Sequence, residues 1–425
     1  MLNYMQYISK RGDIIPKILV AGFNTRPLAY SLYKAGYDVY AVDFFGDLDL
    51  YPCVKDYLIL TKILNANYEV IKNNYSEYLP NLILELLAKH PEINYLIIGS
   101  GLDDAFEERK LILNEINRKN YKILNLNNSL DAIKKSRNIN YIFNFLKNLG
   151  YKVPLSTSYD DIKSGIKKLS YPFVFKKLSG SGGINIYKIK NRDEFSFILD
   201  VIRTQDLNPT DWLVQEYIEG LPVSCTTISN GVESSVISIN RQIIGEKFLN
   251  APKEFMYCGN IVPANIFKED KKIISEISLK LSNELGLRGI NGFDFVIKNH
   301  YPYLMEINPR IPGSIRVSEE AMNLNLLDLY IKSFDLEGWE SIKETLKESK
   351  IENFATKMIF FAPKEINKRL LKRINALKYI HDKSEPIKNI SKNEPLCTIL
   401  FKAKTFSDSY FGSLKVADGI KKIIK

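Results

Sequence analysis

Two apolar segments that each carry a carboxylate constrain the fold of this chain more than any other feature. Asp294 lies in residues 289–297 and Glu306 lies in residues 303–310, with a short polar stretch between the two segments. Apolar residues that alternate with a period of two around a polar connection predict a β-hairpin. Asp294 and Glu306 are therefore expected on adjacent strands, with residues 298–302 forming the turn.

The second segment continues with polar side chains at alternate positions. Asn308 and Arg310 follow Glu306, and side chains two positions apart on a strand share a face. Carboxylate and amide oxygens are suitable ligands for Mg²⁺, and a guanidinium beside them suits a phosphate. The alternative is that the acids meet solvent or form structural ion pairs. The functional interpretation is favoured because both acids interrupt apolar runs, where an unpaired charge is costly.

A second signal is a short apolar run that delivers Lys176 and is followed by a loop rich in glycine and serine. Such a loop lets backbone N–H groups approach phosphate oxygens, and the lysine adds a positive charge. The loop residues expected to contact a nucleotide are Ser179, Gly180, Gly182 and Gly183. The P-loop pattern is absent from the sequence. A plain hairpin turn with an exposed lysine is the alternative.

The first part of the chain predicts a parallel α/β sheet. A buried strand over residues 17–22, a helical stretch and a second strand over residues 37–43 form a strand–helix–strand unit. The glycine pattern of a dinucleotide site is missing from the first loop, which argues against a nicotinamide or flavin cofactor. Loops at the carboxyl ends of such strands form ligand pockets, and the residues expected there are Gly22, Asn24, Ser100 and Gly101.

The motifs in this order resemble the ATP-grasp superfamily, and in particular biotin carboxylases and carboxylate–amine ligases. The resemblance implies an α/β fold of the ATP-grasp type, with a Rossmann-like amino-terminal domain, a two-lobed core with a mobile lid and a small carboxyl-terminal α+β subdomain. The implied bounds are 1–125 for the first domain, 126–345 for the core, about 155–218 for the lid and 346–425 for the last part.

The resemblance also implies roles for individual residues. Asp294, Glu306 and Asn308 would be the metal ligands, and the catalytic residues would be Lys176, Asn308 and Arg310. A helical pattern over residues 128–150 would supply a basic contact to the phosphates, for which Arg137 is preferred to Lys135. The adenine contacts would be Glu216, Tyr217 and Ile218, and Glu219 would replace the acid that usually binds ribose. Substrate contacts are expected from Arg241, Gly313 and Ser314, and from an irregular segment over residues 248–263.

The implied activity is that of an ATP-dependent ligase, which activates a carboxylate as an acyl phosphate and joins it to an amine. Its cofactors would be ATP and Mg²⁺ or Mn²⁺, with two ions. Two alternatives stay open: a carboxylase that activates bicarbonate, and an ATP-binding regulator without turnover. The partners would be a small-molecule carboxylate and an amine, and a homodimer is left open.

Composition and charge narrow the classes of protein to which the chain can belong. The chain has 425 residues and a net charge of +10, but its lysines are dispersed and not gathered with aromatic residues, which argues against a nucleic-acid partner. Neither an apolar run of membrane-spanning length nor the apolar core of a signal peptide is present. The four cysteines lack C-x-x-C spacing, so a disulfide framework or a zinc site is not indicated. A cytoplasmic protein without membrane association is expected.

Overall fold

The computed structural model describes residues 15–158, 169–178, 180, 182–183, 185–204, 208, 211–335, 337–385 and 389–425, without the side chains of residues 158, 202 and 203. Ser179, one of the predicted nucleotide contacts, lies outside the described residues. The fold combines three sheets, one of them parallel and two antiparallel.

The amino-terminal part is a parallel sheet with the order β3-β2-β1-β4-β5. Its strands are β1 Lys17–Gly22, β2 Asp38–Asp43, β3 Asp56–Ile59, β4 Tyr95–Ile98 and β5 Leu124–Asn125, and its helices are α1 Arg26–Lys34, α2 Leu60–Ile63, α3 Tyr68–Ile71, α4 Tyr75–Lys89 and α5 Phe106–Arg118. Residues 18–21 are fully buried, as expected for a strand covered on both faces. The carboxyl ends of these strands meet at one edge, where ligand sites of such sheets form.

The helical pattern predicted over residues 128–150 forms two helices instead of one. They are α6 Leu130–Arg137 and α7 Ile139–Asn148, and Asn138 between them has φ −82° and ψ 90°. The Asn138 side chain accepts a hydrogen bond from the backbone N–H of Tyr141, which caps the second helix. The prediction of a single helix was therefore wrong, and Arg137 stands at the end of a short helix.

A four-stranded antiparallel sheet follows, with the order β6-β9-β7-β8. Its elements are β6 Ser156–Ser158, β7 Phe173–Lys177, β8 Ile186–Ile189, α8 Arg192–Thr204 and β9 Trp212–Glu216. Phe175 and Trp212 stack inside it with ring centroids 4.9 Å apart. The sheet lies within the segment predicted as a lid, and that assignment stays a prediction.

The largest sheet has eight strands in the order β14-β13-β10-β11-β12-β15-β17-β16. These strands are β10 Leu221–Asn230, β11 Ser234–Ile244, β12 Tyr257–Val262, β13 Arg288–Lys298, β14 Tyr301–Asn308, β15 Phe354–Phe361, β16 Ile380–His381 and β17 Pro395–Ala403. The associated helices are α9 Lys268–Glu284, α10 Ile315–Met322, α11 Leu326–Lys332, α12 Gly338–Glu348, α13 Lys368–Asn375 and α14 Phe406–Ile424. The strands after residue 346 belong to the same sheet as the hairpin. The predicted boundary between the core and a carboxyl-terminal subdomain at residue 346 stays a prediction.

The parallel sheet is attached to the large sheet by a shared apolar core. Ile18 and Val20 of β1 belong to the same buried cluster as Ile290 of β13, Leu326 of α11 and Trp339 of α12. This packing holds the carboxyl edge of the parallel sheet against the hairpin. In the described part of the chain, none of the helices has the length and apolar character needed to cross a membrane.

Candidate functional site

The predicted hairpin is formed by β13 and β14, and Asp294 lies directly opposite Glu306 in its register. The turn is tighter than expected, since Tyr301 and Pro302 already belong to β14. Asn299 and His300 make the turn with φ of 50° and 56°, the left-handed conformation of a two-residue hairpin loop. The turn fixes the register from Lys298–Tyr301 to Phe295–Leu304. A shift of one residue beyond Phe295 then places Asp294 opposite Glu306 instead of Met305.

Asp294 is held by two amide side chains. Nδ2 of Asn308 donates to its Oδ2 at 2.9 Å, and Nε2 of Gln242 donates to its Oδ1 at 2.9 Å. Burial and the neighbouring charge of Glu306 raise the pKa of Asp294 to about 7, although the two amides and Arg310 act in the opposite direction. A cation placed beside this carboxylate would stabilise its ionised form.

Arg137 joins Glu306 to the parallel sheet. Its Nη1 lies 2.5 Å from Oε1 of Glu306, and its Nε and Nη2 donate to the two carboxylate oxygens of Asp104 at 2.7 and 3.0 Å. Burial alone would lower the pKa of Arg137, but Glu306 and Asp104 raise it. Oδ2 of Asp104 also accepts from the backbone N–H of Gly180 at 2.7 Å. A carboxylate therefore occupies the arginine and loop donors that were predicted to bind phosphate.

Arg310 is paired with Asp103, which precedes Asp104 in the loop after β4. Its Nε donates to Oδ1 of Asp103 at 2.5 Å, and its Nη2 lies 3.5 Å from Oδ1 of Asn308. Burial acts to raise the pKa of Asp103, yet the pKa is lowered because Arg310, Arg137 and Arg109 surround the carboxylate. Arg310 is thus held in one orientation beside the hairpin acids.

Lys176 lies at the end of β7, where its Nζ approaches the carbonyl oxygen of Met305 at 3.5 Å. Burial lowers the pKa of Lys176 to about 8, although Glu306 acts to raise it. In the following loop, the carbonyl of Gly182 accepts from the N–H of Tyr257 at 3.3 Å. The loop therefore closes against β12, and Lys176 faces the hairpin.

These side chains surround a cavity of about 1630 Å³. A pocket for one small ligand usually measures about 300–1000 Å³, so the cavity has room for a nucleotide and a second molecule. The predicted site residues that line it are Arg137, Lys176, Gly180, Gly182, Gly183, Glu216, Tyr217, Ile218, Asp294, Glu306, Asn308, Arg310, Gly313 and Ser314.

A family model described as an ATP-grasp domain matches residues 140–314. In addition, an uncharacterized protein of Methanocaldococcus jannaschii is 30% identical over 393 residues, which cover 91% of this chain and 88% of that protein. The chain belongs to the ATP-grasp superfamily.

A D-alanine–D-alanine ligase of Leptospira interrogans is 25% identical to this ATP-grasp protein over 173 residues, 39% of this chain and 48% of the ligase. The match thus spans about half the length of that ligase. Two solved structures share the fold over nearly the whole chain. An L-amino acid ligase of Bacillus licheniformis has a TM-score of 0.65 at 17% identity, covering 96% of this chain and 98% of that one. A biotin carboxylase of Campylobacter jejuni in complex with β-γ-ATP has a TM-score of 0.69 at 13% identity, with coverage of 97% and 96%.

The segment predicted to hold adenine lines the cavity of this ATP-grasp protein. The backbone N–H of Glu216 donates to the carbonyl oxygen of Leu155 at 2.7 Å. The carboxylate of Glu216 accepts from the N–H of Leu155 at 3.2 Å. Ile218 is buried, while Glu219 is exposed and lies outside the cavity lining. This placement of Glu219 disagrees with the prediction that it replaces the ribose-binding acid, although Gly220 and Pro222 after it line the cavity.

Arg241 also lies away from the cavity. It is exposed, and its guanidinium stands 5.9 Å from the ring centroid of Phe406. Neighbouring side chains on a strand point to opposite faces, so Gln242 is the residue of β11 that reaches Asp294. The placement of Arg241 away from the cavity disagrees with the predicted substrate contact.

The site includes residues that the sequence analysis did not name. Asp103 and Asp104 follow the Ser100–Gly101 turn after β4, and their position at a strand's carboxyl end was an available signal. Lys357 of β15 lies across the cavity, where its Nζ donates to the carbonyl of Gly313 at 3.0 Å, and burial lowers the pKa of Lys357. Tyr257 and Asn260 line the cavity from β12, within the segment over residues 248–263 that was expected to contact the substrate. The expectation that this segment is irregular was wrong where β12 forms. Nothing in the sequence singled out Lys357 among the many lysines.

Proposed function

We propose that this protein is an ATP-dependent ligase that activates a carboxylate as an acyl phosphate and joins it to an amine. The observation that carries the proposal is the pairing of Asp294 with Glu306 in register, beside Asn308 and next to Arg137, Lys176 and Arg310. The ligase names of two relatives support the same general class.

The donor set fits Mg²⁺ or Mn²⁺. Asp294, Glu306 and the amide oxygen of Asn308 would hold two ions, which would supply positive charge for the β- and γ-phosphates of ATP. The partly buried carboxylate of Asp294 supports this assignment, because a nearby cation offsets the cost of ionising a group whose pKa burial raises to about 7.

The basic residues would bind the triphosphate. Lys176, Arg137 and the N–H groups of the glycine loop are donors of the kind that neutralise phosphate oxygens. Arg137 and Gly180 already bind the carboxylate of Asp104. A phosphate can replace that carboxylate as acceptor, and the exchange leaves no donor buried without a partner.

The chemical step needs positioning and neutralisation of charge more than a protein nucleophile. A carboxylate oxygen of the substrate attacks the γ-phosphorus, and the bond from that phosphorus to the bridging oxygen of ADP breaks. Arg310, which Asp103 holds in place at 2.5 Å, stabilises the resulting acyl phosphate. The amine nitrogen then attacks the acyl carbon, phosphate leaves, and the nitrogen loses a proton as the amide forms. Gly313 and Ser314 would contact the acyl group.

A carboxylase that activates bicarbonate is the alternative among enzymes. The cavity of about 1630 Å³ has room for an organic acid beside a nucleotide, and it would equally hold bicarbonate with the molecule to be carboxylated. Phosphate release that depends on an organic acid and not on bicarbonate distinguishes the two. A regulator without turnover is the other class of protein that an ATP-grasp fold allows. ATP binding without phosphate release, with any acid or amine, would support the regulator and contradict the ligase.

The test is ³¹P NMR of the full chain with ATP, Mg²⁺ and pooled carboxylic acids and amines. We expect release of phosphate that depends on one acid, and a drop of at least about 100-fold in Glu306→Gln, which loses a charged ligand. The fold should survive in this variant because Arg137 keeps Asp104 as a partner. Glu320→Gln is the matched control, since Glu320 pairs with Arg316 and Lys402 away from the cavity, and its turnover should stay unchanged.

A further inference from the structure

Four aromatic rings line one end of the cavity, and the proposed chemistry does not use them. They are Phe23 after β1, Phe45 after β2, Tyr68 of α3 and Tyr75 of α4. All four are half-buried, so each ring keeps a face or an edge toward the cavity. Phe44 is fully buried behind them, with its ring 4.8 Å from Phe23 and 5.5 Å from Tyr75.

The rings form a continuous wall. Phe23 lies 4.9 Å from Phe45 in an edge-to-face arrangement and 5.0 Å from Tyr75, while Phe45 and Tyr68 are nearly parallel at 6.1 Å. The wall therefore presents both ring faces and ring edges. An additional aromatic ring can pack against such a surface in the offset or edge-on geometries that aromatic pairs prefer.

The wall adjoins the predicted reaction centre. Asp103 and Arg310 both influence the pKa of Tyr75, which burial and Asp103 raise and Arg310 lowers. The loop that carries Asp103 runs directly along the rings, because a Cβ atom on Gly101 would lie 2.9 Å from the ring of Tyr75 and 3.1 Å from Cβ of Phe23. A carboxylate held by Arg310 would consequently have its side chain within reach of the aromatic wall.

We propose that Phe23, Phe45, Tyr68 and Tyr75 form a subsite for an aromatic side chain on the carboxylic acid that reacts beside Arg310. This inference rests on the proposed ligase function and specifies the class of its first substrate. The four rings disfavour an acid with a charged side chain, since the rings offer it no counter-charge and would remove it from water. Lys72, whose Nζ lies 5.6 Å from the ring centroid of Tyr68, already pairs with Glu69.

The test measures equilibrium binding to the full chain by isothermal titration, in the presence of Mg²⁺ and a non-hydrolysable ATP analogue. The probes are two matched series: L-phenylalanine, L-alanine and L-glutamate, and 3-phenylpropanoate, propanoate and glutarate. In at least one series the aromatic acid should bind at least about 30-fold more tightly than its two partners, since even one methylene in an apolar pocket changes affinity about tenfold or more. Equal binding across both series, or no aromatic binding at all, would overturn the inference.

Variants of the four rings test whether the preference for an aromatic acid arises from this wall. Phe45→Ala and Tyr68→Ala should each reduce the aromatic preference about tenfold or more. If Phe45→Ala does not fold, Phe45→Leu replaces it, because leucine removes the ring but keeps an apolar side chain, and the preference should fall in this variant as well. Phe411→Ala, at an exposed position of α14, should leave it unchanged. A preference that survives in the wall variants would contradict the subsite. Aromatic binding without phosphate release would refute the ligase alone, whereas turnover of a non-aromatic acid with no aromatic preference would refute the subsite alone.

Discussion

At the scale of single residues, Asp294 depends on the neighbours that hold its two oxygens. Asn308 and Gln242 each donate one hydrogen bond to it at 2.9 Å, so both oxygens have a fixed direction. Groups that orient a metal ligand in this way usually affect binding and activity nearly as much as the ligand itself. Gln242 is therefore expected to matter, although it does not belong to the predicted ligand set.

Replacing Gln242 by leucine should weaken Mg²⁺ binding or lower turnover by about 10- to 100-fold, because Oδ1 of Asp294 loses its donor. Arg241→Leu is the matched control, since the neighbouring side chain lies on the opposite face of β11 and is exposed. The measurement is the Mg²⁺ dependence of phosphate release for both variants. Equal effects of the two substitutions would argue against the positioning role of Gln242.

At the scale of elements, the glycine loop after β7 depends on two glycines with different surroundings. Gly182 and Gly183 have φ of +70° and +79°, but a Cβ atom on Gly183 would lie 1.9 Å from the carbonyl oxygen of Phe255, whereas one on Gly182 would meet nothing within 4 Å. The backbone strain of an alanine is therefore similar at both positions. Comparing alanine variants at the two positions therefore measures the effect of the contact between the loop and Phe255, which precedes β12.

Gly183→Ala should push the loop away from Phe255 and raise the KM for ATP about tenfold or more, equivalent to about 1.4 kcal/mol. Gly182→Ala should change it by less than about threefold, because only the backbone strain remains. Steady-state kinetics with varied ATP compare the two variants. A larger effect in Gly182→Ala would contradict the closed position of the loop.

The same elements explain what could be predicted from the sequence. The hairpin itself follows from the period of the strands and the polar connection, both of which are local patterns. The pairing of Asp294 with Glu306 also needs the shift of one residue beyond Phe295, which the sequence did not indicate. The ion pairs of Arg137 with Asp104 and of Arg310 with Asp103 join residues far apart in the chain. The sequence places both acids at the carboxyl end of a strand, but it does not indicate which arginines they meet. Arg241 was predicted as a substrate contact, while the strand's alternation turns the neighbouring Gln242 toward the cavity.

At the scale of the whole molecule, buried charges join the first helix to the last strands. Nε of Arg26 lies 2.7 Å from Oδ1 of Asp382, and both residues are buried. The pKa of Asp382 is held below its usual range, because Arg26 and Lys357 outweigh the effect of burial. The ion pair thus joins α1 of the parallel sheet to the segment after β16, and Lys357 of the cavity wall adds positive charge near Asp382.

Asp382→Asn should lower the free energy of unfolding by about 3 kcal/mol, the lower end of the range for a broken buried ion pair, since Arg26 loses its nearest partner but keeps Asp49 at 3.6 Å. Glu385→Gln removes an acid at the same boundary, but its pair with Lys62 is exposed and should contribute less than about 1 kcal/mol. Urea denaturation of both variants measures the difference. Equal destabilisation would mean that the buried pair does not hold these parts together.

In the proposed reaction, a carboxylate attacks the γ-phosphate of ATP beside the acids of the hairpin. The most direct measurement uses the acid that supports phosphate release, labelled with ¹⁸O in its carboxylate, and detects the label in the released phosphate by ³¹P NMR. An acyl phosphate mechanism transfers one labelled oxygen to each phosphate formed during amide synthesis. Release of unlabelled phosphate at the same rate would contradict the account, because it would mean that water and not the carboxylate attacks ATP.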